Sequence, residues 1–173
     1  MGLGLDRAGR PERGRVTGQF FFTTIAALAL STAGFATLVT ALRHEGRWNR
    51  VSLWRLRAIV GESLTITVVA VLPLPLYYAL AGDEAGVIRL MSGVLAAKFA
   101  FAIWRALSER REWSTRFTVQ AVVLLAIQLF VQLANVWVAS LPLLMLGLLA
   151  WLTFPIQLLF AIIRDFQPPV DGD

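Results

Sequence analysis

The chain has 173 residues, of which 57% are hydrophobic and only 16% charged. A water-soluble domain of this size needs a more polar exterior, so the composition argues against an ordinary soluble globule and for helices solvated by lipid. The formal charge of +5 is not read as a nucleic-acid footprint, because the basic loops of a multi-pass protein give the same balance.

Residues 1–18 form a basic tail rich in Gly, Arg and Pro, with too little apolar content to fold alone. From Val16 to Leu42 there is no charge. A crossing needs about 20 apolar residues, so the first span is predicted at 19–42. The run is too long for the hydrophobic part of a cleaved signal peptide and lacks a small-x-small site before Arg43, so a retained helix is expected. Ala26, Ala27, Ala29, Ser31, Ala33, Gly34 and Ala36 make this span rich in small residues, which allow close helix contact within or between chains. Its threonines can bond back to their own helix.

The stretch 43–57 carries five arginines and two tryptophans and reads as an interfacial loop, part of it a short amphipathic surface helix. The second span is placed at 58–81, with Pro73 and Pro75 kinking or ending it late. Residues 82–86 form a short acidic turn. A third span follows at 87–107, weakened as a prediction by Lys98 within it. After a charged loop, Phe117 to Ile163 runs for 47 residues without a charge. One helix of that length would reach roughly 70 Å, more than twice the hydrocarbon thickness. It therefore divides into spans 117–136 and 141–163, turning between Trp137 and Pro142. The tail 164–173 is polar and proline-rich. The expected fold is thus all-α: a polytopic transmembrane bundle of five spans.

Loop arginines set the orientation. Counting helix edges, the side receiving loops 43–57 and 108–116 and the C-terminus carries ten basic residues, against five on the other side. This predicts the N-terminus outside and the C-terminus inside. All basic residues but Lys98 are arginine, a usage that suggests a GC-rich bacterial genome. Trp48, Trp54, Trp104, Trp113 and Trp137 fall near the predicted interfaces, whereas Trp151 falls mid-span and is read as packing.

Ionisable residues inside a membrane are costly and count as functional candidates. Glu62 and Lys98 are the two clear cases. With the second helix starting at 58, Glu62 lies near its end, and Lys98 is offset from it by about 7 Å along the axis. Arg105 then competes for the carboxylate. The pair reads either as a proton or ion relay or as a lock between helices, and locks are the usual way bundles tolerate charge. Gln120, Gln128, Gln132 and Asn135 are expected on one face of the fourth span, as a polar path lining or as interhelical hydrogen-bonding groups. The candidate site is therefore Glu62, Lys98, Arg105, Gln128, Gln132 and Asn135.

Assembled catalytic chemistry is missing. No phosphate-binding loop, dinucleotide fingerprint, HExxH or GxSxG occurs, and the chain has one histidine, His44, and no cysteine. A lone histidine falls short of a zinc site. The expectation is a non-enzymatic membrane subunit without a cofactor or nucleic-acid partner, embedded in the lipid bilayer and assembling with itself or another membrane protein. The alternative is a small oligomeric transporter or channel.

Gly34-Phe35, Trp54-Arg55-Leu56-Arg57, Leu72-Pro73-Leu74, Asn135, Pro142 and Gly147-Leu148 occur together in this order. In that pattern, residues 20–163 resemble a family of small, uncharacterised bacterial multi-pass membrane proteins. The resemblance implies an all-helical membrane fold. It supplies no activity and no site residues.

Overall fold

A computed structural model describes residues 17–42, 50–108 and 115–164. Every regular element among them is α-helical: α1 (Gln19–Leu42), α2 (Arg50–Val71), α3 (Pro73–Ala79), α4 (Glu84–Ser108), α5 (Thr115–Val138) and α6 (Leu141–Arg164). Five stretches are long and apolar enough to cross a membrane: Gln19–Val39, Leu53–Ala79, Glu84–Ser108, Val119–Val138 and Leu141–Ile163. The five predicted crossings correspond to them, the third included. Both tails, most of the 43–57 loop's first half with His44 and Trp48, and Trp113 lie outside the described residues.

One boundary differs from expectation. Residues 50–57 are not a separate surface helix but the first turns of α2. Arginine and leucine are good helix formers, and nothing between Arg50 and Gly61 breaks the ladder. The break comes where the prolines stand. Pro73 and Pro75 bring no N–H to the ladder, so the second crossing is divided at Leu72 into α2 and α3. The bonds Leu72 N to Val68 O and Leu76 N to Leu72 O carry the path through the break, at 3.0 and 3.2 Å.

The tight turns follow from local chemistry. After α3, the N–H of Gly82 donates to Tyr77 O at 2.8 Å and that of Ala81 to Tyr78 O at 3.2 Å. Ala81 holds φ at 53°. This is the paired-bond helix stop usually built on glycine at the left-handed position, here occupied by alanine. Asp83 then caps α4, its Oδ1 accepting from Gly86 N at 3.0 Å. Between α5 and α6 only Ala139 and Ser140 intervene. Pro142 falls in the first turn of α6, where its missing N–H would be unpaired anyway.

The main packing pairs are α1 on α2, α4 on α5 and α2 on α6. The larger core joins Phe22, Ile25 and Ala29 of α1, Ile66 and Ala70 of α2, Met91 and Leu95 of α4, and Leu144, Leu148 and Trp151 of α6. A smaller cluster at the other end of the bundle joins Ala36, Ile59, Leu158 and Ile162. The outer faces are apolar too, with Phe20, Trp104, Phe130, Trp137 and Phe160 exposed. Such faces suit lipid, which removes the need for a polar exterior.

The small residues of α1 divide by face. Ala26, Ala29, Ala33 and Ala36 are buried, on the face that α1 turns to the rest of the bundle. Ala27, Ser31, Gly34 and Leu38 point outward. Thr23, Thr24, Thr32 and Thr37 each donate to a carbonyl one turn back in their own helix.

Candidate functional site

Three helices converge on one carboxylate. Glu62 of α2 accepts from Lys98 Nζ of α4 at 2.8 Å through Oε1. It accepts from Trp151 Nε1 of α6, also at 2.8 Å, through Oε2. The Lys98 ammonium lies 4.9 Å from the centre of the Trp151 ring, within range of a cation–π contact. Each carboxylate oxygen thus has its own donor, and the group is neutral as a whole. Lys98 and Glu62 side chains keep 23% and 20% of their surface open, so the pair sits at the edge of the bundle interior.

The depth of this cluster corrects the sequence reading. The second crossing begins at Leu53, not at residue 58, so Glu62 is nine residues in. Lys98 is ten residues from the Ser108 end of α4, and Trp151 is ten residues from the start of α6. At 1.5 Å per residue each stands about 13–15 Å from one end of its apolar stretch, well inside it. The expected offset of about 7 Å between Glu62 and Lys98 disappears with the longer helix. Arg105, expected as a rival, lies over the Trp54 ring at 6.0 Å instead. It is nearer the end of α4, where a long side chain reaches the interface.

A second polar cluster lies at the α5–α6 turn. Asn135 Oδ1 accepts from Ser140 N at 2.8 Å. Its Nδ2 donates to Ser140 O at 3.0 Å and to Ser92 Oγ of α4 at 2.8 Å. The amide satisfies both backbone groups of the residue that follows the turn. One helical turn from Asn135, Gln132 Nε2 donates to Leu143 O at 2.8 Å. Both residues are wholly buried. Gly147 is what lets Gln132 lie there: a Cβ on residue 147 would run into the Gln132 amide and the tip of Leu95.

The expected four-residue stripe on α5 is a three-residue one. At about 100° per residue, Gln128, Gln132 and Asn135 fall within about 60° of one another, whereas Gln120 lies further round. Gln120 is exposed and Gln128 half-buried. Gln128 Oε1 is nonetheless shut away without a donor among the described residues, as is Gln132 Oε1.

The structure therefore joins Glu62 to Lys98, and Gln132 and Asn135 to the α5–α6 turn, while Arg105 stands apart. Sequence reasoning missed three partners: Trp151, Ser92 and Ser140. A signal existed for Trp151, because a mid-span indole N–H needs an acceptor and Glu62 is the only carboxylate predicted at depth. Nothing comparable marks Ser92, whose role depends on the register between α4 and α5.

The polar groups form interhelical bonds; no cluster of three metal-binding side chains occurs among the described residues. A cleft between Thr17, Phe22, Pro73, Tyr77 and Glu84 holds about 20 Å³ for the centres of water-sized molecules, room for about one water. No protein-family model, curated protein or solved structure matches the chain. Its class rests on its own helices: the described residues are all-helical, with five helices long and apolar enough to cross a membrane, as in a polytopic transmembrane bundle.

Proposed function

We propose that this chain is a non-enzymatic structural or accessory subunit of a bacterial cytoplasmic membrane, related to the small multi-pass family that its motifs resemble. The observation that supports this best is that both Glu62 oxygens accept from donors on two other helices. A carboxylate that hands on protons or ions must exchange its partners; this one is tied to α4 and α6 at once. Asn135 supports the same reading, since its amide joins α4, α5 and the start of α6. The outward small-residue face of α1 (Ala27, Ser31, Gly34) is compatible with contact to a second membrane protein or copy. The N-terminus faces outward and the C-terminus inward, following the arginine bias.

One observation favours a transporter or channel as the second reading. The Glu62–Lys98 pair keeps about a fifth of its surface open, and two glutamine oxygens on α5 lack donors among the described residues. Purified protein measured for mass in detergent and for ion and solute flux in liposomes separates the two. Flux above that of empty liposomes, lost in Glu62→Gln, sinks the accessory reading. A folded protein without flux removes the transport reading. Reporters fused to each terminus test the topology, which requires them on opposite sides.

A further inference from the structure

Gln128 Oε1 and Gln132 Oε1 are two buried acceptors without a donor among the described residues. The orientation of Gln132 is fixed by its nitrogen, which donates to Leu143 O, so its oxygen is the open end of a wholly buried side chain. The two residues are one turn apart on α5 and share a face. Their depth follows from the α4–α5 register. Asn135 meets Ser92, and Gln132 and Leu95 both border Gly147. Continuing one turn along antiparallel helices brings Gln128 level with Phe99, next to Lys98.

A single group that meets both oxygens must donate twice. Leaving two carbonyl oxygens bare is costly in a low-dielectric interior. A metal ion would satisfy acceptors, but two neutral oxygens fall short of the roughly four or more ligands that ions take, and the Lys98 ammonium at the same depth opposes a second cation. Water has two protons to give. Side chains one turn apart start about 5–6 Å from each other, a separation that one bridging water spans.

We propose that Gln128 and Gln132 hold one buried water in the α4–α5–α6 interface. The water extends a polar line from Ser140 and Ser92, through Asn135 and Gln132, to the depth of Lys98. The site does not depend on whether the protein acts as an accessory subunit or as a transporter.

The test uses the full chain in nanodiscs with glutamine side-chain amides labelled with ¹⁵N. Magnetisation transfer from long-lived water to the Gln132 amide protons is expected in the wild type and is absent in Gln128→Met. No transfer in the wild type overturns the proposal. Thermal unfolding of Gln128→Met, Gln132→Met and the double variant gives a second readout. Gln128→Met should lower Tm by about 2–4 °C, Gln132→Met by more because it also deletes the bond to Leu143 O, and the double should fall little below Gln132→Met, because either change alone releases the water. Neutral singles, or losses that add, overturn the proposal. Should Gln132→Met fail to fold, Gln128→Met and the magnetisation transfer still decide. Replacing Na⁺ and K⁺ with N-methylglucamine should leave Tm unchanged; a drop that Na⁺ restores would assign the site to a cation and overturn the water.

Discussion

The bundle handles buried polarity in two different ways at its two polar clusters. Around Glu62 a charged pair and an indole N–H come from α2, α4 and α6 and stand well inside the apolar stretches. Around Asn135 they are neutral, belong mainly to one turn, and stand where α5 gives way to α6. The charged cluster joins helices that are distant in sequence, so it depends on the whole bundle being assembled. The neutral cluster is local, with Asn135 and Ser140 only five residues apart, and it needs α4 only for Ser92. The comparison implies that damage to the first should act on assembly, and damage to the second on the α5–α6 hairpin.

The largest effect is expected from removing one charge. Glu62→Ala or Lys98→Ala leaves its partner without a counter-charge at depth, a loss of about 3–5 kcal/mol where such pairs are buried. Partial exposure places these variants toward the low end. Thermal unfolding in detergent, read with the yield of folded protein, measures it. A charge swap, Glu62→Lys with Lys98→Glu, should rescue only in part, because the Trp151 N–H would then face an ammonium rather than a carboxylate.

Asn135→Leu should come next, at about 1–3 kcal/mol, because it leaves the half-buried Ser140 N–H without its acceptor and removes the bond to Ser92, while Ser140 O keeps Leu144 N. Proteolysis between α5 and α6 should rise in this variant and not in Glu62→Ala, which separates the two clusters directly. Trp151→Phe keeps the ring beside Lys98 but deletes the donor to Glu62. A loss of about 1.5 kcal/mol is expected, the low end of the range for one hydrogen bond to a charged group, because the carboxylate is partly exposed.

The smallest effect belongs to the turn itself. Ala139 holds φ at 55°, a conformation that costs non-glycine residues about 1 kcal/mol. Ala139→Gly should relieve this and offset it partly through greater freedom in the unfolded chain, leaving a gain of about 0.5 kcal/mol. A fall in Tm would contradict the strain at that position.

How much of this was legible in the sequence depended on whether a residue stood out from its surroundings. Uncharged runs marked the crossings, and the 47-residue run forced a hairpin whose turn fell between Trp137 and Pro142, as observed. Glu62 and Lys98 were visible because they interrupt apolar stretches. The start of α2 was not, because arginines at an interface read as loop although they are good helix formers. That misplaced Glu62 in depth and hid its match with Lys98. Trp151 was hidden for another reason: it is apolar by composition, and the one N–H that matters finds its acceptor 89 residues away in sequence. Ser92 shows the same limit, since a serine in a helix can always bond to its own backbone.

The central claim is that Glu62, Lys98 and Trp151 lock the bundle rather than carry ions. Its most direct test is thermal unfolding of Glu62→Leu combined with Lys98→Met, against both single variants. A lock of paired charges predicts that each single change is strongly destabilising, while the neutral double recovers most of the loss and remains folded in liposomes. A double variant as unstable as the worse single would contradict the pairing. A flux present in the wild type and abolished in a well-folded double would contradict the structural role.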